Sequence, residues 1–297
     1  MSFRKEKGIS RRDFVRLGTI GLAAVGAGCT LGPGGEHAIP PPTFPPPPPP
    51  VAPPPPIQLR LGLQSYSLRA FKFDDVVAKT KDLGLHYIEF FGAHFPMGMK
   101  PEELAATQAK LAAAEIKVDA YGVVGIGKDE GGIRTMFEFA KKAGFDVYTA
   151  NPDPAGFDLL DKLCPEYGVK VAIHNHGPGD KRWGRLQQML DGLKDRNPNL
   201  GVCLDTGHLI RAGDDVIDGV RKLGPRLLAF HFKDCNEQNS DVVVGKGKTD
   251  LVAFFTAVRD VKFNGPFALE YEIDASNPLP GIAESCKAIN EAVAKVV

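Results

Sequence analysis

Four short apolar runs in the second half of the chain each end in a side chain that can bind a metal: Val169–His174, Leu200–Asp205, Leu227–His231 and Phe267–Glu270. Each has the length and residue types of a buried strand, followed by polar or Gly-rich sequence and then a helical pattern. Parallel strands of a closed barrel aim their C-terminal ends at one mouth. His174, Asp205, His231 and Glu270 would converge there as two imidazoles and two carboxylates. A mixed nitrogen and oxygen set of four suits one divalent ion and leaves coordination positions for substrate. Mn2+ is the leading choice, with Co2+, Zn2+, Fe2+ and Mg2+ as alternatives. Any one of these residues alone reads as a hydrogen-bonded loop anchor; four at successive strand ends point to a metal.

Other chemistry-bearing residues sit close by in sequence. His208 lies three residues beyond Asp205 and His176 two beyond His174. Each can touch a substrate hydroxyl or act as an acid, or else support a neighbouring ligand. Lys233 offers positive charge to an oxyanion, unless Asp234 takes it as a partner. Glu89 ends an apolar Phe-Phe setting where burial would raise its pKa and favour proton transfer; a structural hydrogen-bonding role is the alternative. Trp183, Phe91, Phe95 and Tyr121 are candidates for stacking on a ligand ring or for the core.

The elements that must position these residues repeat as one unit. Strands are expected at Leu59–Leu63, Tyr87–Phe91, Ile116–Tyr121, Val147–Ala150, Val169–His174, Gly201–Asp205, Leu227–His231 and Phe267–Tyr271. Amphipathic helical stretches separate them at Asp74–Leu83, Pro101–Ala114, Gly132–Ala143, Phe157–Tyr167, Arg185–Lys194, Asp214–Leu223 and Leu251–Val261, and Ile282–Val296 closes the chain. Gly84, Gly144, Gly168 and Gly224 fall where C-cap glycines belong, and Pro101 suits a first helical position. The alternation predicts an α/β fold, a (β/α)8 TIM barrel with right-handed crossovers. A doubly wound open sheet is the runner-up.

The segments Gly62–Arg69, Tyr87–Gly92, His174–Gly177, Leu204–His208, His231–Asp234 and Leu269–Glu270 resemble the xylose isomerase-like superfamily. They are most similar to its sugar phosphate isomerase/epimerase branch, which includes ketose 3-epimerases and inosose dehydratases. Asp-Thr-Gly-His followed by His-x-Lys-Asp is the most specific part. The resemblance implies one divalent metal on the last four strands and a reaction through an enediolate, with a base removing a proton next to a carbonyl. One position departs: the epimerase members usually carry a glutamate at the strand-five ligand, and here it is His174. That weakens a two-carboxylate epimerase mechanism and leaves Glu270 as one candidate base. The expected function is a metal-dependent sugar isomerase or epimerase acting on a small-molecule sugar or keto-sugar. The alternatives are a dehydratase or lyase on a 3-keto-sugar or keto-glycoside, and a non-catalytic sugar-binding lipoprotein.

The first 56 residues stand apart. Ser10–Val15 holds a twin-arginine pattern ahead of the mildly apolar run Leu17–Gly28, so residues 1–29 read as an export signal. Cys29 follows Gly26-Ala27-Gly28, similar to a lipoprotein cleavage box, although Gly26 stands where a large aliphatic is usual. Ordinary cleavage after Ala27 is the alternative. Residues 30–56 form a Pro-rich linker, mostly proline from Pro40 onward, suited to extended polyproline II. Residues 57–297 are the barrel. The chain is thus expected in the periplasm or membrane-anchored through lipid at Cys29.

Composition narrows the partners. The 36 Lys and Arg balance 36 Asp and Glu, with no basic run in the mature domain, which argues against nucleic acid. Five cysteines at irregular spacing make no disulfide framework, and Cys203 reads as a small core residue. Two glycine motifs are decoys. Val242–Thr249 resembles a phosphate loop, but Val242 stands where the first glycine is required. A Gly-x-Gly-x-x-Asp turn accounts better for Gly245, Gly247 and Asp250. Gly122–Gly127 has the wrong spacing for a dinucleotide fingerprint and is expected to be the loop after strand three.

Overall fold

The computed structural model describes residues 56–296. The twin-arginine pattern, Cys29 and the proline tract through residue 55 lie outside the described residues. Eight parallel strands close into a barrel in the order β1 (Arg60–Gln64), β10 (Pro266–Leu269), β7 (Leu227–Phe232), β6 (Leu200–Asp205), β5 (Lys170–His174), β4 (Val147–Pro152), β3 (Lys117–Ile126) and β2 (Tyr87–Phe90). Helices α1 (Phe73–Asp82), α2 (Pro101–Ala113), α3 (Glu130–Ala143), α4 (Phe157–Tyr167), α5 (Leu186–Gly192), α7 (Val216–Leu223), α8 (Leu251–Asp260) and α9 (Leu279–Val293) wrap it. The closed barrel is the architecture the strand–helix alternation predicts.

Side chains alternate across each strand, so one set faces the helices and the other the barrel interior. On β7, Phe230 and Phe232 point outward and pack against Phe254 and Phe267, while His231 between them points inward. The interior layer under the mouth is small: Ala120, Val147, Ala172, Cys203 and Ala229 form one buried cluster. These short side chains leave room for a buried polar network of Gln64, Glu89, Thr149 and His231 above them.

Local signals set the helix ends. Gly144 and Gly168 take left-handed conformations at the C-caps of α3 and α4, with φ of 84° and 67°. Pro101 opens α2.

Three features differ from the sequence reading. β3 runs on to Ile126, so Gly122–Ile126 is strand rather than loop. Gly122 is required there by close approach, because a Cβ would lie 2.1 Å from the Thr149 carbonyl oxygen. An additional helix, α6 (Thr206–Arg211), follows β6 directly. A two-stranded antiparallel ribbon, β8 (Asp234–Cys235) with β9 (Asp241–Val242), covers the loop beyond β7.

Candidate active site

The register of the barrel brings the strand-end residues together. Asp205 pairs directly with His231 across β6 and β7, and His174 lies opposite Cys203 on the same interior row. Glu270 follows β10, its N–H donating to the Phe232 carbonyl at 3.1 Å. One ligand atom from each of His174, Asp205, His231 and Glu270 lies within 4.8 Å of the other three, and all four residues are buried. Neighbouring contacts are 3.4 Å from His174 Nε2 to Asp205 Oδ2 and 3.2 Å from His231 Nδ1 to Glu270 Oε2.

These donors are poorly satisfied by the protein. Both His174 nitrogens, Asp205 Oδ2 and His231 Nδ1 are buried without a well-aligned hydrogen bond. Buried polar atoms are rarely left so. A convergent set of imidazole nitrogens and carboxylate oxygens, orphaned in this way, fits a divalent ion.

Each ligand is oriented from behind. Asp205 divides its carboxylate: Oδ1 accepts the His208 N–H at 2.6 Å and so caps α6, while Oδ2 faces the cluster. Asn175 exchanges two hydrogen bonds with the Asp205 backbone, at 3.0 and 2.9 Å. His231 Nε2 donates to Glu89 Oε1 at 2.9 Å, and the same oxygen accepts from Gln64 Nε2 at 2.8 Å and Thr149 Oγ1 at 2.5 Å. Gln64 also donates to the Gly122 carbonyl at 3.1 Å.

Lys233 joins the ligand set. Its ammonium, 3% exposed, lies 3.1 Å from Asp205 Oδ2 and 2.9 Å from Glu270 Oε2, and also pairs with Glu272 Oε1. It does not pair with Asp234. That carboxylate accepts the N–H groups of Cys235, Gly245, Gly247 and Thr249, between 3.0 and 3.3 Å, which identifies Val242–Thr249 as a turn closed on an aspartate.

The electrostatics follow from this crowding. Burial opposes ionisation of Asp205 and Glu270, yet the Lys233 ammonium together with the neighbouring histidines outweighs it, and both carboxyls fall below their ordinary range. Burial likewise opposes charge on Lys233, but Asp205, Glu270 and Glu272 hold its pKa well above the usual value. Burial pulls His174 down to about 3. For His231 burial is outweighed by Cys203, Glu89 and Glu270, and its pKa is raised.

Above the cluster opens a cavity of about 340 Å³, within the range of small-molecule sites. His174, His176, His208, Lys233, Glu270 and Glu272 contribute its polar wall, and Tyr66 and Phe91 an aromatic side. Tyr66 and Phe91 meet edge to face at 5.3 Å. The other aromatic candidates are core: Trp183 stacks on Phe157 and donates to the Pro152 carbonyl, and Tyr121 donates to the Phe95 carbonyl. Glu89 is 1% exposed beneath His231 and is not part of the cavity wall. A larger cleft, about 430 Å³, lies between α7 and α8. Its acids Asp214, Asp215 and Asp250 already accept backbone N–H groups, so the convergent chemistry is in the barrel mouth.

Sequence reasoning missed Glu272, Arg211, Asn175 and Thr149. Glu272 was within reach: it lies two residues beyond Glu270, where extended backbone returns a side chain to the same face. Asn175 and Thr149 carry no local signal, since only the fold brings them to Asp205 and Glu89.

A family model described as "Xylose isomerase-like TIM barrel" matches residues 77–292. The chain belongs to that family. Its relatives include inosose dehydratases and sugar epimerases. Inosose dehydratase 1 of a Bacillus cereus strain is 29% identical over 130 residues, 43% of this chain and 41% of the relative. The match thus spans about two-fifths of that relative's length. A protein from Parabacteroides distasonis ATCC 8503 superposes with TM-score 0.63 and 28% identity, covering 78% of this chain and 98% of that one. D-psicose 3-epimerase solved with D-fructose gives 0.61 at 18% identity, covering 79% and 96%. The zinc-bound IolI protein gives 0.65 at 19% identity, covering 80% and 99%. At the N-terminus, residues 1–33 match a model for the twin-arginine signal of a ubiquinol–cytochrome c reductase iron–sulfur subunit, which supports export.

Proposed function

We propose that this chain is a metal-dependent enzyme that removes the proton beside the carbonyl of a neutral sugar or keto-sugar and acts as an isomerase. The observation that carries this reading is the cluster of four buried ligand atoms within 4.8 Å, those of His174, Asp205 and His231 without a well-aligned hydrogen bond, opening into a sugar-sized cavity. His174, Asp205, His231 and Glu270 hold the ion, Mn2+ first among the candidates. A divalent ion there supplies Lewis acidity to the carbonyl and adjacent hydroxyl oxygens.

The chain's own groups do the rest. Glu270, kept ionised by Lys233, takes the carbon-bound proton. Lys233 remains an ammonium and faces the negative charge that develops on the enediolate oxygens. His208 and His176, also in the cavity wall, contact substrate hydroxyls. Both cavity carboxylates, Glu270 and Glu272, come from the end of β10, which favours proton transfer on one face between adjacent carbons. Among the described residues lining the cavity, Lys233 is the one permanent cation, and three carboxylates already share it. No unshared cation among these described lining residues is left for a phosphate, in keeping with a neutral sugar met outside the cytoplasm. Residence in the periplasm, with or without lipid at Cys29, belongs to the same proposal.

Elimination is the second reading, favoured by His174 in place of a strand-five glutamate and by the inosose dehydratase match. Incubation of metal-loaded protein with aldoses, ketoses and 3-keto-glycosides in deuterated water separates the two. Deuterium in a recovered isomer supports isomerisation, and loss of water or an aglycone supports elimination. Neither outcome on any sugar would overturn the catalytic proposal in favour of sugar binding.

A further inference from the structure

His208 lines the cavity, and its Nδ1 has a side-chain neighbour. A guanidinium nitrogen of Arg211 lies 3.2 Å from His208 Nδ1. The two residues are three apart on α6, where side chains of a helix meet. Arg211 is held in turn by Asp241 on β9, at 2.7 Å, and that ribbon pairs Asp241 with Cys235.

A guanidinium has only donors and does not lose its proton. Nδ1 facing Arg211 must therefore present its lone pair, which leaves the ring proton on Nε2. A proton on Nδ1 would set N–H against the N–H of Arg211 across this contact. We propose that Arg211, braced by Asp241, is a positioning residue that fixes His208 as a neutral Nε2–H donor toward the cavity.

This deepens the proposed function and rests on it for the identity of the acceptor. So held, Nε2 cannot accept a proton, and His208 is not a base. It donates a hydrogen bond to a carbonyl or hydroxyl oxygen of the sugar, polarising it as a neutral imidazole does elsewhere. The sequence suggested His208 as a hydroxyl contact or an acid; the Arg211 contact selects donor without proton release. Arg211 itself does not touch the cavity, so its effect passes through the imidazole.

The tautomer is readable without any substrate. The full chain, labelled with 15N-histidine and loaded with diamagnetic Zn2+, is observed by long-range proton–nitrogen correlation near neutral pH, with His208 assigned by its loss in His208→Gln. The wild type is expected to show a protonated Nε2 and an unprotonated Nδ1. Arg211→Leu is expected to give a tautomer mixture and to lower kcat about 10- to 100-fold with little change in KM, while Arg211→Lys, which keeps one donor, recovers part of both. Circular dichroism establishes that each variant is folded, and Asp241→Asn gives a second, milder perturbation of the same brace. A proton on Nδ1 in the wild type, or an unchanged tautomer in folded Arg211→Leu, overturns the proposal. Lack of turnover on every sugar would sink the proposed function and leave the tautomer result standing.

Discussion

His231 donates its Nε2 proton to Glu89 across 2.9 Å, at a point where Glu89 is 1% exposed and receives two further hydrogen bonds on the same oxygen. A carboxylate can only accept here, so the ring is held with Nδ1 turned to the cluster. This is how a metal-binding histidine is oriented and made more basic. Glu89→Ala should lower divalent-metal affinity about 10- to 100-fold, measured by competition with a chromogenic chelator on folded protein. Unchanged affinity would reduce Glu89 to a packing residue.

Lys233 contacts both ligand carboxylates, Asp205 and Glu270, directly. A cation already among the ligands competes with the metal for their charge. Lys233→Met should therefore bind a divalent ion at least as tightly as the wild type while losing about 10²-fold or more in kcat. Metal content by mass spectrometry, set beside initial rates, checks both halves. Weaker binding in the variant would mean that Lys233 organises the ligands instead.

Proton release accompanies binding. Because the pKa of His231 is raised above its ordinary value in the metal-free protein, a proton competes with the metal for its Nδ1. A metal at Nδ1 must displace it, so affinity should rise with pH and fall as the solution is acidified. Calorimetry in buffers of different ionisation enthalpy should report protons released on binding. Binding without proton release would exclude Nδ1 as a ligand.

At the other end of the barrel, Asp119 is buried against Arg60 at 3.1 Å, and its pKa is pushed up to about 6 by burial, which outweighs Arg60. The folded state then holds this proton more tightly than the unfolded state. Stability should fall as pH rises from the unfolded value near 4 to about 6, and level off above that. Asp119→Asn removes the term and should gain about 1–2 kcal/mol at pH above 7, with no gain near pH 4. Urea denaturation at the two pH values tests the difference.

Much of this molecule was legible in its sequence because barrel strands are short, apolar and punctuated. His174, Asp205, His231 and Glu270 each end such a run, so periodicity alone placed them at one mouth. Glu89 was legible as a strand-end acid, but not its surroundings: the register with Gln64 puts it beneath His231. The α6 helix escaped notice because it is six residues long and is capped by Asp205, a residue already assigned to a strand. Arg211 was missed with it. Its partners, His208 and Asp241, meet only once α6 and β9 are folded beside each other.

The most direct measurement is the metal stoichiometry of chelator-stripped and reconstituted protein, alongside the single variants His174→Ala, Asp205→Asn, His231→Ala and Glu270→Gln. One tightly bound divalent ion per chain, weakened in every folded variant, is the predicted result. No bound ion in the wild type, or binding that survives all four substitutions, would contradict the account.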